Sequence, residues 1–127
     1  MLSLDHTKVW DWERDKKSIN ALRTQRIAYL RRHWKKESSY QLIMHNTISE
    51  YYDEVEAEYP VIVDGQLFFL DDALVSKGRG FEYDGQEYHA NVDHELWRDQ
   101  LLKGNGWKIH HFNKNNFDSL ERVLTNI

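Results

Sequence analysis

The stretch VIVDGQLFFLDDALVSKGRGFEYDG runs from Val61 to Gly85. Val61-Ile62-Val63 is β-branched and short, and Asp64-Gly65 is a strong hairpin turn signal. Gln66–Val75 reads as a second strand, Ser76-Lys77-Gly78 as the next turn, and Arg79–Asp84 as a third strand ended by Gly85. Three strands joined by tight turns predict an antiparallel meander. Working outward, residues 40–58 carry a stripe of Tyr40, Met44, Ile48, Tyr51 and Val55 at helical spacing, with Pro60 expected to close that helix. Residues 16–36 lack Gly and Pro and space Ile19, Leu22, Ile27, Leu30 and Trp34 as an amphipathic helix with a basic outer face. On the other side, residues 92–104 read as a helix and Trp107–Phe112 as a fourth strand. Phe117, Leu120, Leu124 and Ile127 form a last helical stripe. A helix separates the third and fourth strands, so that pair is expected to be parallel. The fold class is α/β, a mixed sheet flanked by helices.

The 127 residues suit one domain, 1–127, in which 1–39 form a basic helical extension and 40–127 the core. There is no Cys, so disulfides, thiolate metal sites and Cys nucleophiles are excluded. No apolar run approaches the ~20 residues that cross a bilayer. The first residues show neither a basic region nor an apolar core, so no secretory leader is expected and a cytoplasmic setting is the default. Net charge is only −4, but it is unevenly spread. Arg14–Lys36 holds nine Lys/Arg and one acid, whereas Glu50–Glu95 holds thirteen acids and two bases. A polyanion-binding element beside a carboxylate-rich, cation-holding site is one reading, and ordinary solvated faces are the other.

Side chains alternate along a strand, so Phe69, Asp71, Ala73 and Val75 are expected on one face and Leu70, Asp72 and Leu74 on the other. Glu82 and Asp84 share a face of the third strand. A short hairpin then brings Asp71 near Glu82 and Asp84. Three converging carboxylates need a neutralising cation or a proton. Oxygen ligands alone suit Mg²⁺, with Mn²⁺ as substitute, better than Zn²⁺. An aggregation-blocking edge pair, Asp71-Asp72, is the structural alternative.

The run DDALVSKGRGFEYDGQEYHANVDHELWRDQLLKGNGWKIHHF, Asp71–Phe112, resembles the PD-(D/E)XK nuclease superfamily. The likeness is to the branch of the very-short-patch repair endonucleases and the related phage homing endonucleases named for a Glu-Asp-His-Asp signature. It rests on Asp71 and, eleven residues on, Glu82-Tyr83-Asp84-Gly85; then on His89, a helix with Glu95, Arg98 and Leu102, the pair Gly106-Trp107, and a strand ending at Phe112. The superfamily Lys two residues after the Glu is here Asp84, and the helix acid, usually Asp, is Glu95. A one-residue slip would make Asp72 the motif acid; spacing favours Asp71. Residues 1–39 lie outside the resemblance.

The resemblance implies a restriction-endonuclease-like αβββαβ core and a Mg²⁺-dependent DNA endonuclease leaving 5′-phosphate and 3′-hydroxyl ends. It implies Asp71, Glu82 and Asp84 as metal ligands, His89 as general base or leaving-group acid, and Glu95 as the carboxylate orienting His89. His110 and His111 face opposite ways on a strand, make a poor chelate, and are left out. DNA contacts are expected from Arg23, Arg26, Arg31, Arg32, Lys35 and Arg98, with Trp10, Trp12, Tyr29 and Trp34 either stacking on bases or packing the helix. At −4 overall, a second subunit or an added DNA-binding domain is expected to supply tight binding. Two other functions fit the same fold: an inactive DNA-binding or assembly module, and an RNA-directed nuclease.

Overall fold

The computed structural model describes residues 7–32, 38–84 and 92–127. Helix α1 spans Trp12–Arg32 and α2 Ser38–Tyr51. Strand β1 spans Glu56–Val63, β2 Gln66–Leu74 and β3 Arg79–Tyr83. Helix α3 covers Val92–Lys103, β4 Lys108–Phe112 and α4 Leu120–Thr125. The sheet order is β1-β2-β3-β4, antiparallel except for the parallel β3–β4 pair. This is the expected α/β mixed sheet.

Local chemistry explains the elements. Asp11 caps α1 by accepting the Arg14 N–H at 2.8 Å, and Asp15 reaches back to the Asp11 N–H at 3.0 Å. Asp64 and Gly65 both have positive φ, 50° and 76°, as the tight turn between β1 and β2 requires. The N-terminal segment is tied to that turn by Trp10 N–H donating to the Gly65 carbonyl at 2.8 Å.

Several boundaries differ from expectation, and β1 begins at Glu56 rather than Val61. Helix α1 begins at Trp12 rather than near residue 16, and Trp34 lies outside the described residues. Helix α2 ends at Tyr51, and Pro60 lies inside β1 instead of closing a helix. β1 is an edge strand, where a missing N–H can face outward without breaking the ladder. Val55 continues the helical spacing by coincidence.

The core has two sides. Met44 and Ile48 of α2 and Leu120 and Leu124 of α4 pack on Leu74, Phe81 and Phe112. Trp10, just before α1, and Ile19 of α1 pack on Leu67 and Phe69. Across the sheet, Leu102 of α3 packs on Val63, Phe68, Leu70 and Ala73. Leu70 and Ala73 therefore share a side although three positions apart, so the alternation of β2 slips by one between them. The β1–β2 ladder skips the pair Glu58 and Asp71 at the same place, and Glu58 has φ +47°. The expected grouping of Phe69 with Ala73, and of Leu70 with Leu74, is corrected by this slip.

Candidate active site

The slip falls where β2 and β3 part. Their ladder runs Leu74↔Arg79, Ala73↔Gly80 and Asp72↔Phe81, then stops. Beyond it, side chains take over from backbone. The Asp71 N–H donates to Glu82 Oε2 at 2.8 Å, and the Tyr83 N–H donates to Asp71 Oδ2 at 2.8 Å. Each carboxylate satisfies the other strand's backbone, and both come together between the strands. Glu82 is buried, and its Oε1 receives the Arg98 guanidinium from α3. Asp71 Oδ1 has no partner among the described residues.

The electrostatics follow from this crowding. Burial drives the Asp71 carboxyl well above its ordinary value, and the charges of Glu82 and Glu58 push further the same way. Glu58, on β1, is also buried and displaced upward by burial, against the pull of Arg26 and Gln41. Arg26 Nε donates to Glu58 Oε2 at 3.0 Å, and Gln41 Nε2 donates to Oε1 at 3.2 Å.

Asp84 takes a different partner. It bonds His111 Nδ1 at 2.8 Å, while His111 Nε2 lies 2.5 Å from Asp99 Oδ2. Two carboxylates on one ring require both nitrogens to carry hydrogen. The bonds to Asp84 and Asp99 accordingly raise the His111 pKa to about 10. Glu95 is displaced upward by burial and by the nearby charge of Asp84. The result is a connected patch of Asp71, Glu82, Arg98, Asp99, His111 and Asp84, with Glu95 beside it. Carboxylates outnumber cations in it.

Asp72 faces the other way. It is fully buried, with Oδ1 2.5 Å from His45 Nδ1 and Oδ2 unpartnered. Burial raises its pKa to about 7, and the bond to Asp72 raises that of His45. Asp71, not Asp72, shares the space between the strands with Glu82.

The other expected residues fall as follows. His89 and Lys35 lie outside the described residues. Arg23 donates to the Ala57 carbonyl at 3.0 Å and pairs with Glu56 at 3.4 Å. Arg26 is held by Glu58 and lies over the Phe69 ring at 4.6 Å. Arg98 is mostly buried against Glu82. These three arginines join elements of the domain to one another rather than standing open to a phosphate. Arg31 and Arg32 are exposed at the end of α1.

Sequence reasoning did not place Glu58, Asp99, His111 or His45 at the site, and it weighed Asp72 only as an alternative to Asp71. His111 had a usable signal. A parallel β3–β4 pair sets Glu82 beside His111, which orients that ring, while His110 turns away onto Phe81 at 5.3 Å. Burial and Arg79 lower the His110 pKa to about 4.

Mg²⁺ commonly binds through one or two carboxylates and keeps several waters. The Asp71 carboxylate beside Glu82 fits that donor set. No group of three or more acids or histidines makes a metal-holding constellation among the described residues. No protein-family model, curated protein or solved structure matches this chain. No helix among the described residues is long and apolar enough to cross a membrane.

Proposed function

We propose that this chain is a divalent-metal-dependent endonuclease that hydrolyses DNA phosphodiester bonds in the cytoplasm. The observation that carries the reading is the exchange of carboxylates between β2 and β3, Asp71 onto the Tyr83 N–H and Glu82 onto the Asp71 N–H. Two acids aligned by backbone hydrogen bonds are held in place before any ligand arrives, which is what charge stabilisation in a transition state demands. Asp71 would hold the ion, helped by Glu82. The chemistry a bound Mg²⁺ or Mn²⁺ would supply there is polarisation of a phosphate oxygen and charge stabilisation of the leaving oxygen.

The chain's own groups do the rest. Arg98 fixes Glu82 and balances its charge. His111 ties Asp84 to Asp99 and keeps those acids from repelling one another. Asp84 thus acts as the partner of His111 at the border of the site. The proton-transfer role of His89 rests on its place after Glu82-Tyr83-Asp84-Gly85.

The test is nicking of supercoiled plasmid with Mg²⁺ and with EDTA, using wild type, Asp71→Ala, Glu82→Ala and His89→Ala. The proposal expects Mg²⁺-dependent nicking lost in Asp71→Ala. Nicking that persists in Asp71→Ala refutes the site. DNA binding without cleavage under every metal condition supports the inactive module, and cleavage confined to RNA supports the RNA-directed enzyme.

A further inference from the structure

The α1–α2 side of the sheet carries polar chemistry that the proposed reaction does not use. A cavity of about 70 Å³ there is lined by Arg31 of α1, Gln41 and His45 of α2, and Asp71 and Asp72 of β2, among apolar neighbours. It is far below the ~300 Å³ at which drug-sized ligand pockets begin, so it suits a single small group. Asp72 is enclosed with one oxygen on His45 and the other without a partner. A buried carboxylate left half-satisfied is destabilising. It is intelligible where an imidazole must be fixed.

The bond to Asp72 orients the His45 ring and leaves Nε2 as its free polar atom. The ring side chain keeps 30 % of its surface open. Arg31 is exposed and makes no ion pair among the described residues, whereas Arg23, Arg26 and Arg98 are matched by Glu56, Glu58 and Glu82. A small cavity is thus lined by the Arg31 guanidinium and the His45 ring together with the acids Asp71 and Asp72.

We propose that this cavity receives a backbone phosphate of the DNA, with Arg31 and His45 as its donors and Asp72 as the positioning residue behind His45. This deepens the nuclease reading and rests on it: the phosphate reaches Asp71 from the α1–α2 side, opposite the side from which Arg98 reaches Glu82. Such contacts hold the strand irrespective of sequence.

The experiment is fluorescence anisotropy of the whole chain with a labelled duplex in EDTA, across a salt series. Arg31→Ala, His45→Ala, His45→Gln and Asp72→Asn are compared with Lys103→Ala, an exposed control at the end of α3. The expected result is about fivefold to tenfold weaker binding in Arg31→Ala and His45→Ala, with a salt slope about 1 lower for each lost phosphate contact. Lys103→Ala retains wild-type binding. Thermal melts confirm folding; if Asp72→Asn fails to fold, the two His45 variants carry the test. Inorganic phosphate titrated against the His45 ring resonances separates a site for any phosphate from one that needs the strand.

Wild-type affinity and salt slope in both Arg31→Ala and His45→Ala overturn the cavity assignment, and leave the Asp71 site standing if Asp71→Ala still abolishes nicking. Weakened binding alongside nicking that ignores Asp71→Ala supports the phosphate site and overturns the catalytic reading instead.

Discussion

Asp71→Asn is expected to make the protein more stable and inactive at once. The amide is nearly isosteric with the carboxylate and keeps an oxygen to accept the Tyr83 N–H, which bonds Asp71 Oδ2 at 2.8 Å. What it removes is a charge that burial disfavours and that Glu82 and Glu58 repel. A like charge ~5 Å away costs about 3 kcal/mol at an effective dielectric constant of ~20. Neighbouring cations and local relaxation offset part of that, so the net gain is set at about 1–2 kcal/mol. The sign with pH follows from an acid whose folded pKa is raised. Below its unfolded value of ~3.9 the carboxyl is neutral in both states and contributes nothing. As pH rises past that value the unfolded chain ionises first, and the folded state is penalised. The gain from Asp71→Asn is therefore absent near pH 3.5 and grows toward pH 8. Urea unfolding with an EDTA-containing buffer at both pH values measures it, and plasmid nicking reads the loss of activity. An Asp71→Asn protein less stable than wild type at pH 8 would refute the idea that this carboxylate is held against its own charge.

His111→Ala leaves Asp84 and Asp99 facing each other without their cation. The ring keeps 32 % of its surface exposed, so solvent screening limits the loss to about 2 kcal/mol at pH 7. Its folded pKa is raised to about 10 from 6.5, so this stability is complete below pH 6.5 and disappears as pH climbs through 10. Denaturation curves at pH 6 and pH 10.5 should differ clearly for wild type and less for His111→Ala; equal pH dependence in the two would count against the clamp. Gly78→Ala meets two obstacles, a φ of +63° and a Cβ 2.5 Å from the Gly106 carbonyl oxygen. A loss of about 2–3 kcal/mol is expected, read as a lower Tm, and an unchanged Tm would show that the loops before β3 and β4 are not packed as described.

Much of the fold was legible because its signals were local. Asp64-Gly65 announced the first hairpin, and a helix between two short strands announced the parallel pair. The eleven-residue step from Asp71 to Glu82 placed the two acids together because the β2–β3 hairpin is short and in register. What escaped depended on partners far along the chain. The basic face of α1 looks open in sequence, yet Arg23 and Arg26 are neutralised by Glu56 and Glu58, 33 and 32 residues away. Those two acids were assigned to a helix end, so their role in β1 was invisible. The adjacent histidines were rightly turned to opposite faces, but only the β3–β4 register decides which of them meets the acids.

The choice between Asp71 and Asp72 turns on the slip in β2. With strict alternation from Leu70, which packs with Leu102 on the α3 side, Asp72 and Leu74 would also face α3. Asp72 would then meet Glu82, and Leu74 would leave the core it forms with Met44 and Phe81. The slip keeps both Leu70 and Leu74 in their cores, which at ~25 cal/mol per Å² of buried apolar surface outweighs one distorted ladder step. The left-handed φ of +47° at Glu58 records that distortion, at a cost of about 1–2 kcal/mol. Consecutive acids are thereby given different partners, Asp71 meeting Glu82 and Asp72 meeting His45. Apolar packing, acting through a single irregular residue pair, thus selects which aspartate enters the site and couples that site to the imidazole behind it.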